Sequence, residues 1–205
     1  MQEALTTMLR MQDRMNTRVH PQWKAQRFAW HRAIWVECAE LVDHHGYKWW
    51  KHQQPDLEQV QLEVVDIWQL GMSAYFREDS SAEQLAIEIM ALWPKATPTS
   101  GVLEAAEAVA AVAAGERRFC VASFAALLSA ASLDFTGLYR QYLGKNVLNF
   151  FRQDHGYQDG SYRKLWAGRE DNEHLMELLA DIDTGADDAE AQLYTALAAR
   201  YSTSV

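Results

Sequence analysis

Glu37 with Glu40, and Glu63 with Asp66, form two carboxylate pairs that bracket the segment Tyr47-Lys48-Trp49-Trp50-Lys51. Residues three or four apart share one face of a helix. Glu37 falls between Ile34 and Leu41, and Glu63 between Val60 and Ile67, so each pair is expected to point into a helix interface. Burying several carboxylates without partners costs several kcal/mol apiece, and a hard divalent cation removes that cost. One Glu-x-x-Glu alone reads as a solvated face, whereas two such pairs on adjacent helices read as a metal site. Oxygen-only ligands favour magnesium or manganese over zinc, and no His or Cys stands at zinc spacing. Magnesium held by few protein groups completes its shell with phosphate oxygens and water, which points to phosphate-ester or phosphoanhydride chemistry.

A second constellation lies downstream, in Lys145-Asn146-Val147-Leu148-Asn149-Phe150-Phe151-Arg152-Gln153-Asp154-His155-Gly156-Tyr157, and continues to Lys164. Lys145, Asn149 and Arg152 are spaced by four and three, so one helical face presents an ammonium, an amide and a guanidinium. Such a face suits a phosphate chain, since Arg can hold phosphate oxygens through two parallel donors while Lys acts as a point charge. The plainer alternative is a surface stripe, with Val147, Phe150 and Phe151 supplying the core face. A third group is the tryptophan-rich loop. Trp49 or Trp50 could stack on a flat base while Lys48 or Lys51 reaches phosphate, although at least one tryptophan is expected simply to seal the helix hairpin. In the N-terminal segment, Gln12 and Asn16 lie one turn apart, and both amides can pair with a pyrimidine edge. Taken alone, they are expected to be exposed.

The elements that must position these groups are helical. The 205 residues include only four prolines and ten glycines, and no run sustains β-branched alternation. The fold class is all-α: a helical-bundle core with antiparallel carboxylate-bearing helices and a peripheral helical lobe. A first helix surrounds Leu5, Met8, Leu9, Gln12 and Asn16 and ends before Pro21. A second is expected from about Trp23 to His44, stopped by Gly46, and a third from Pro55 through Trp68. The connection between them, His45 to Gln54, is short enough to make the two antiparallel neighbours and to bring the acidic faces together. Ser80 or Ser81 with Glu83 and Gln84 signals the start of a fourth helix reaching Trp93. Lys95 to Ser100, with Pro94 and Pro98, reads as a linker. The alanine-rich block Leu103 to Ala131, divided near Gly115 to Arg118, reads as a peripheral hairpin or lid, or else as ordinary helical core. A helix from Asp134 to Gln153, a turn-rich segment from Asp154 to Gly168, a helix capped by Asp171 or Asn172, and a last helix from about Asp187 to Tyr201 complete the chain. The expected division within one domain is 1–94 for base pocket and metal site, 95–132 for the lobe, and 133–205 for phosphate binding.

Composition narrows the function classes. The net charge of −9 argues against a nucleic-acid polymer as partner, because a phosphate backbone wants a basic surface. No apolar run approaches the ~18 residues of a membrane span, and the N-terminus lacks a secretory pattern, so a soluble cytoplasmic protein without membrane association is expected. Cys38 and Cys120 are expected to be reduced.

These residues resemble the dimeric, all-α dUTP pyrophosphatases (dUTPases), a family related to phage enzymes that hydrolyse dCTP and dUTP. The resemblance covers Leu9 to Asn16, the Glu37 to Asp66 core, and Lys145 to Asn172, including Gly160-Ser161-Tyr162-Arg163-Lys164-Leu165-Trp166 and Glu170-Asp171-Asn172. It implies hydrolysis of dUTP, with dUDP a further candidate, to dUMP, a reaction that limits uracil incorporation into DNA. It further implies that Glu37, Glu40, Glu63 and Asp66 hold two or more Mg2+ ions, with Mn2+ as a substitute. Lys145, Arg152, Tyr157 and Lys164 would contact phosphates, with Asn149 and Asn172 in support. Gln12, Asn16 and Trp49 would hold uracil, and the protein would be a homodimer. Glu37 is the carboxylate expected to orient or deprotonate the attacking water. One departure is visible: where the family usually has Asp-Ile-Trp-His-Phe, this chain has Asp66-Ile67-Trp68-Gln69-Leu70, so Gln69 stands in place of a histidine associated with the sugar 3′-hydroxyl and either substitutes as a hydrogen-bonding group or leaves sugar discrimination weaker. The readings weighed against dUTP hydrolysis are a dCTP/dUTP or broader nucleoside triphosphate pyrophosphohydrolase, and a helical interaction module whose lysines and arginines neutralise the acids.

Overall fold

Helix signals dominate the sequence and helices dominate the computed structural model, which describes residues 1–97, 99–186 and 188–203. The expected linker residue Pro98 and the expected helix start Asp187 lie outside the described residues. The chain divides into two compact units, Met1–Leu138 and Tyr139–Val205.

In the first unit, α1 (Gln2–Val19) buries Leu5, Met8, Leu9, Met11 and Met15 along one stripe. The second helix begins later than its sequence suggests. Trp23–Gln26 forms a short 3-10 helix, Arg27 turns into the left-handed region at φ 50°, and only then does α2 run, over Trp30–His45. Aromatic packing accounts for the break: Trp23 meets Trp30 edge-on at 6.0 Å, Phe28 meets Trp30 at 5.7 Å, and Lys24 pairs with Asp13 of α1 at 2.8 Å. Gly46 stops α2 at φ 85°, a conformation that disfavours a side chain. α3 (Leu57–Tyr75) starts one residue after Asp56, whose carboxylate accepts the Gln59 amide, so Pro55 stands just outside the helix rather than in its first turn. α2 and α3 pack as antiparallel neighbours, with the Asp56 amide bonded to the His44 carbonyl at their shared end.

α4 (Ala82–Leu92) is capped by Ser81, whose hydroxyl accepts the Gln84 amide, and it packs on α1. The alanine-rich block forms α5 (Val102–Glu116) and α6 (Val121–Ala130), parted at Arg117. This block belongs to the first unit. α5 lies against α2, and Phe124 of α6 stacks on the fully buried Trp68 at 4.8 Å, where Phe119 also packs. Its aromatics Phe119 and Phe124 thus pack on the buried Trp68 of α3.

α7 (Phe135–Asp154) carries the chain into the second unit. There a two-stranded hairpin, β1 (Leu165–Trp166) with β2 (Arg169–Glu170), turns through Ala167 and Gly168, both at positive φ. Two residues of left-handed backbone make the tight turn that suits a hairpin twist. α8 (Asp171–Ala180) follows directly, and its N-cap is Glu170 rather than Asp171 or Asn172: Glu170 and Glu173 form a reciprocal capping box. α9 (Ala189–Ser202) closes the described chain. Among the described residues, no single helix is long and apolar enough to cross a membrane.

Candidate active site

α2 and α3 bring three of the four acidic candidates together. Oxygens of Glu37, Glu63 and Asp66 all lie within 4.8 Å of one another. Glu63 is the most enclosed, with 5% of its surface exposed, while Glu37 and Asp66 are half-buried. Three anions at this range repel strongly, and a cation among them reverses the sign of the interaction. Oxygens around one octahedral magnesium, at about 2.1 Å from it, lie at most about 4.2 Å apart. The triplet thus needs only small side-chain adjustments to fit a magnesium ion. His44 Nε2 approaches Glu63 Oε1 at 3.5 Å from the α2 side. Glu40 differs from expectation: it is exposed and stands outside this triplet. It follows Glu37 by three residues, which at 3.6 residues per turn carries it about 60° farther round α2 from the buried stripe of Ile34, Cys38 and Leu41 than Glu37 itself.

A buried polar relay connects α1 to α3. Gln12 Nε2 donates to Asn16 Oδ1 at 3.0 Å, Asn16 Nδ2 donates to Ser73 Oγ at 2.9 Å, and Ser73 Oγ donates to the Gln69 carbonyl at 2.8 Å. Gln12 and Asn16, expected to be exposed, are 6% and 8% exposed; Gln69 is also buried. Their burial follows from their position on the α1 face that carries Met8, Leu9 and Met15. Ser73 was not singled out in the sequence. The available signal was a pair of polar residues, Gln69 and Ser73, one turn apart on an otherwise apolar helix face.

The loop between α2 and α3 exposes both tryptophans instead of using one as a seal: Trp49 is 90% exposed and Trp50 is exposed beside it, their rings meeting edge-on at 5.6 Å. Lys48 is paired with Asp43 at 2.9 Å. That leaves Lys51, exposed in the same loop, as the better placed of the two lysines for an incoming anion.

In the second unit, the basic face of α7 meets the start of α8. Lys145, almost fully buried, donates to Asn172 Oδ1 at 3.0 Å, and Arg152 donates to the same oxygen and to Asn149 Oδ1, both at 3.3 Å. The larger interaction is the ion pair of Arg152 with Asp171, a residue the sequence offers only as a helix cap. Arg152 Nε and Nη2 both bond the Asp171 carboxylate at 2.8 Å, and Tyr162 donates to the same carboxylate at 2.7 Å. The side-on edge of Arg152, Nε with Nη2, is thus engaged by Asp171, while Nη1 meets Asn149. Burial pushes the Asp171 carboxyl upward, but the bonds from Arg152 and Tyr162 outweigh it and hold the carboxyl below its usual range. Burial and the Asp171 charge together raise the Tyr162 phenol. Tyr157 lies beside Arg152, at 5.9 Å from guanidinium carbon to ring centre, and the exposed Lys164 pairs with Glu170 at 3.2 Å. A carboxylate in the first turn of a helix reads locally as a cap, and only a contact across 19 positions shows that Asp171 serves Arg152.

A family model described as dUTPase matches residues 4–157. The chain belongs to the all-α dUTPase family. The match runs through the relay, the acidic triplet and the whole of α7, and it makes this chain a dUTP diphosphatase, an enzyme acting on a small nucleotide rather than a helical interaction module. No curated protein matches the dUTPase chain.

Proposed function

We propose that this dUTPase uses magnesium held by Glu37, Glu63 and Asp66 to hydrolyse dUTP to dUMP and pyrophosphate, with Glu40 contributing from the solvent side. The observation that carries the reading is the convergence of three carboxylates within 4.8 Å at the α2–α3 interface. When bound, the cation supplies Lewis acidity, lowering the pKa of water and offsetting charge on the phosphate chain; manganese fills the same role.

The chain's own groups do the rest. Glu37, half-buried at the rim of the triplet, orients the attacking water and takes its proton. Gln12 and Asn16 read the pyrimidine edge by hydrogen bonds, and a site built that way can reject a mismatched base by roughly 10⁴-fold because its buried groups are left unpaired. Trp49 stacks on the base and Lys51 draws the polyanion in. Gln69 takes the sugar-facing role. In the second unit, Lys145, Arg152, Tyr157 and Lys164, supported by Asn149 and Asn172, have the donor chemistry of phosphate ligands, with Asp171 fixing the guanidinium plane. The enzyme acts as a homodimer, in which exposed Val19 of α1 and Ile87 and Leu92 of α4 supply apolar surface.

The test is pyrophosphate release from a panel of deoxy- and ribonucleoside triphosphates, with dUDP included and phosphate release read for it, each with and without magnesium. Selective, magnesium-dependent cleavage of dUTP is expected. Comparable turnover of dCTP would replace the uracil assignment with the broader pyrimidine one, and full activity in chelator would remove the metal.

A further inference from the structure

We propose that Ser73 is a positioning residue for base specificity: its hydroxyl fixes the sense of the Asn16 and Gln12 amides so that they accept uracil and refuse cytosine. The inference rests on the reading of Gln12 and Asn16 as the base-recognising pair.

The relay has a direction, and the direction is set at one end. A backbone carbonyl can only accept, so the Ser73 hydroxyl, 2.8 Å from the Gln69 carbonyl, spends its single proton there. Toward Asn16 the hydroxyl then has only lone pairs to offer, and the group it faces at 2.9 Å must be the Asn16 amide nitrogen. That places Asn16 Oδ1 toward Gln12, and Gln12 must meet it with Nε2, at 3.0 Å. Turning either amide over would set oxygen against oxygen or nitrogen against nitrogen in a place where water has little access, since Ser73 is 1% exposed and the two amides are nearly as enclosed.

This rigidity bears on the choice of base. Uracil presents an N3–H donor between two carbonyl oxygens, whereas cytosine presents an N3 acceptor beside an amino donor. A glutamine amide free to rotate by half a turn could match either pattern. One whose nitrogen is committed to Asn16 offers a single order of donor and acceptor and matches only one of them. Ser73 touches no part of the base; it sets that order through two side chains, anchored on the backbone of its own helix one turn earlier.

The experiment measures kcat and KM for dUTP and dCTP on wild type, Ser73→Ala, Ser73→Thr and Gln12→Ala. The ratio of the two kcat/KM values is taken on each preparation, so it does not depend on the folded fraction. Ser73→Ala is expected to lower the dUTP-over-dCTP ratio by about 10-fold, the worth of one buried hydrogen bond, mainly through KM. Ser73→Thr keeps the hydroxyl and is expected to restore the ratio to within about threefold of wild type. An unchanged ratio in Ser73→Ala with an altered one in Gln12→Ala would overturn the relay while leaving the base pocket standing. A ratio lost equally in Ser73→Ala and Ser73→Thr would assign the effect to packing and overturn it as well. A ratio unmoved by Gln12→Ala, or near one in wild type, would overturn the base-pocket reading and the relay together.

Discussion

Removing the Asp171 carboxylate should cost this protein far more than removing any surface acid. Asp171 is fully buried and receives two bonds from the Arg152 guanidinium and one from Tyr162, all at 2.7 to 2.8 Å. Hydrogen bonds to a charged group contribute about 1.5–3 kcal/mol each, and the regained solvation of the carboxylate offsets part of the three. Breaking a buried pair also strands the other charge, which brings the expected loss for Asp171→Ala to about 3–5 kcal/mol. Urea unfolding near neutral pH, followed by circular dichroism, reads this as a lower midpoint. The pairing with Arg152 is tested by a double-mutant cycle: Asp171→Ala in an Arg152→Met background should cost clearly less than in wild type, because no buried cation is left behind. The pH dependence has a definite sign. The folded-state pKa of Asp171 is depressed below 3.8, so its contribution is present above the ordinary carboxylate range and is lost as pH falls through the depressed value. The gap between wild type and Asp171→Asn should therefore narrow on acidification. A loss within about 1 kcal/mol, the worth of an exposed ion pair, or a gap that widens in acid, would refute the reasoning.

Three further outcomes follow from the first unit. Glu63→Gln should lower dUTP turnover by roughly 10²-fold or more with helix content unchanged, and Glu40→Gln should have a smaller effect because Glu40 lies outside the triplet; equal losses in a pyrophosphate-release assay would contradict the geometry. Trp49→Ala should raise the KM for dUTP by about 10-fold, the scale of base–aromatic stacking, while the melting temperature stays put because the ring is 90% exposed. Gly71→Ala would gain about 1 kcal/mol of helix propensity, but its Cβ would sit 2.5 to 2.7 Å from the packed Phe119 ring, and overpacking at about 1–3 kcal/mol should win. A melting temperature lower by a few degrees is expected.

The parts of the fold that local chemistry dictates were legible in the chain. Gly46 and Ser81 ended and began helices where their backbone and hydroxyl chemistry required, and the short α2–α3 connection made those helices antiparallel. What was not legible came from contacts between distant residues. Periodicity continues from Trp23 through His44, yet aromatic packing among Trp23, Phe28 and Trp30 and the positive φ of Arg27 break the helix there. At the candidate site, helical spacing placed Glu37, Glu63 and Asp66 on facing surfaces, but it could not tell the buried side of α2 from its rim, where Glu40 lies. The Gln12 and Asn16 amides read as surface groups until Ser73, 57 positions beyond Asn16, supplied the acceptor that makes their burial affordable. Asp171 was hidden for the same reason, its partner lying 19 positions away.

The most direct test of the metal centre is a manganese titration of the nucleotide-free protein followed by electron paramagnetic resonance, in wild type and in Glu63→Gln. Wild type is expected to take up the ion, with magnesium competing, and Glu63→Gln to bind it at least 10-fold more weakly. No uptake by wild type, or equal uptake by both proteins, would contradict a cation site built from Glu37, Glu63 and Asp66.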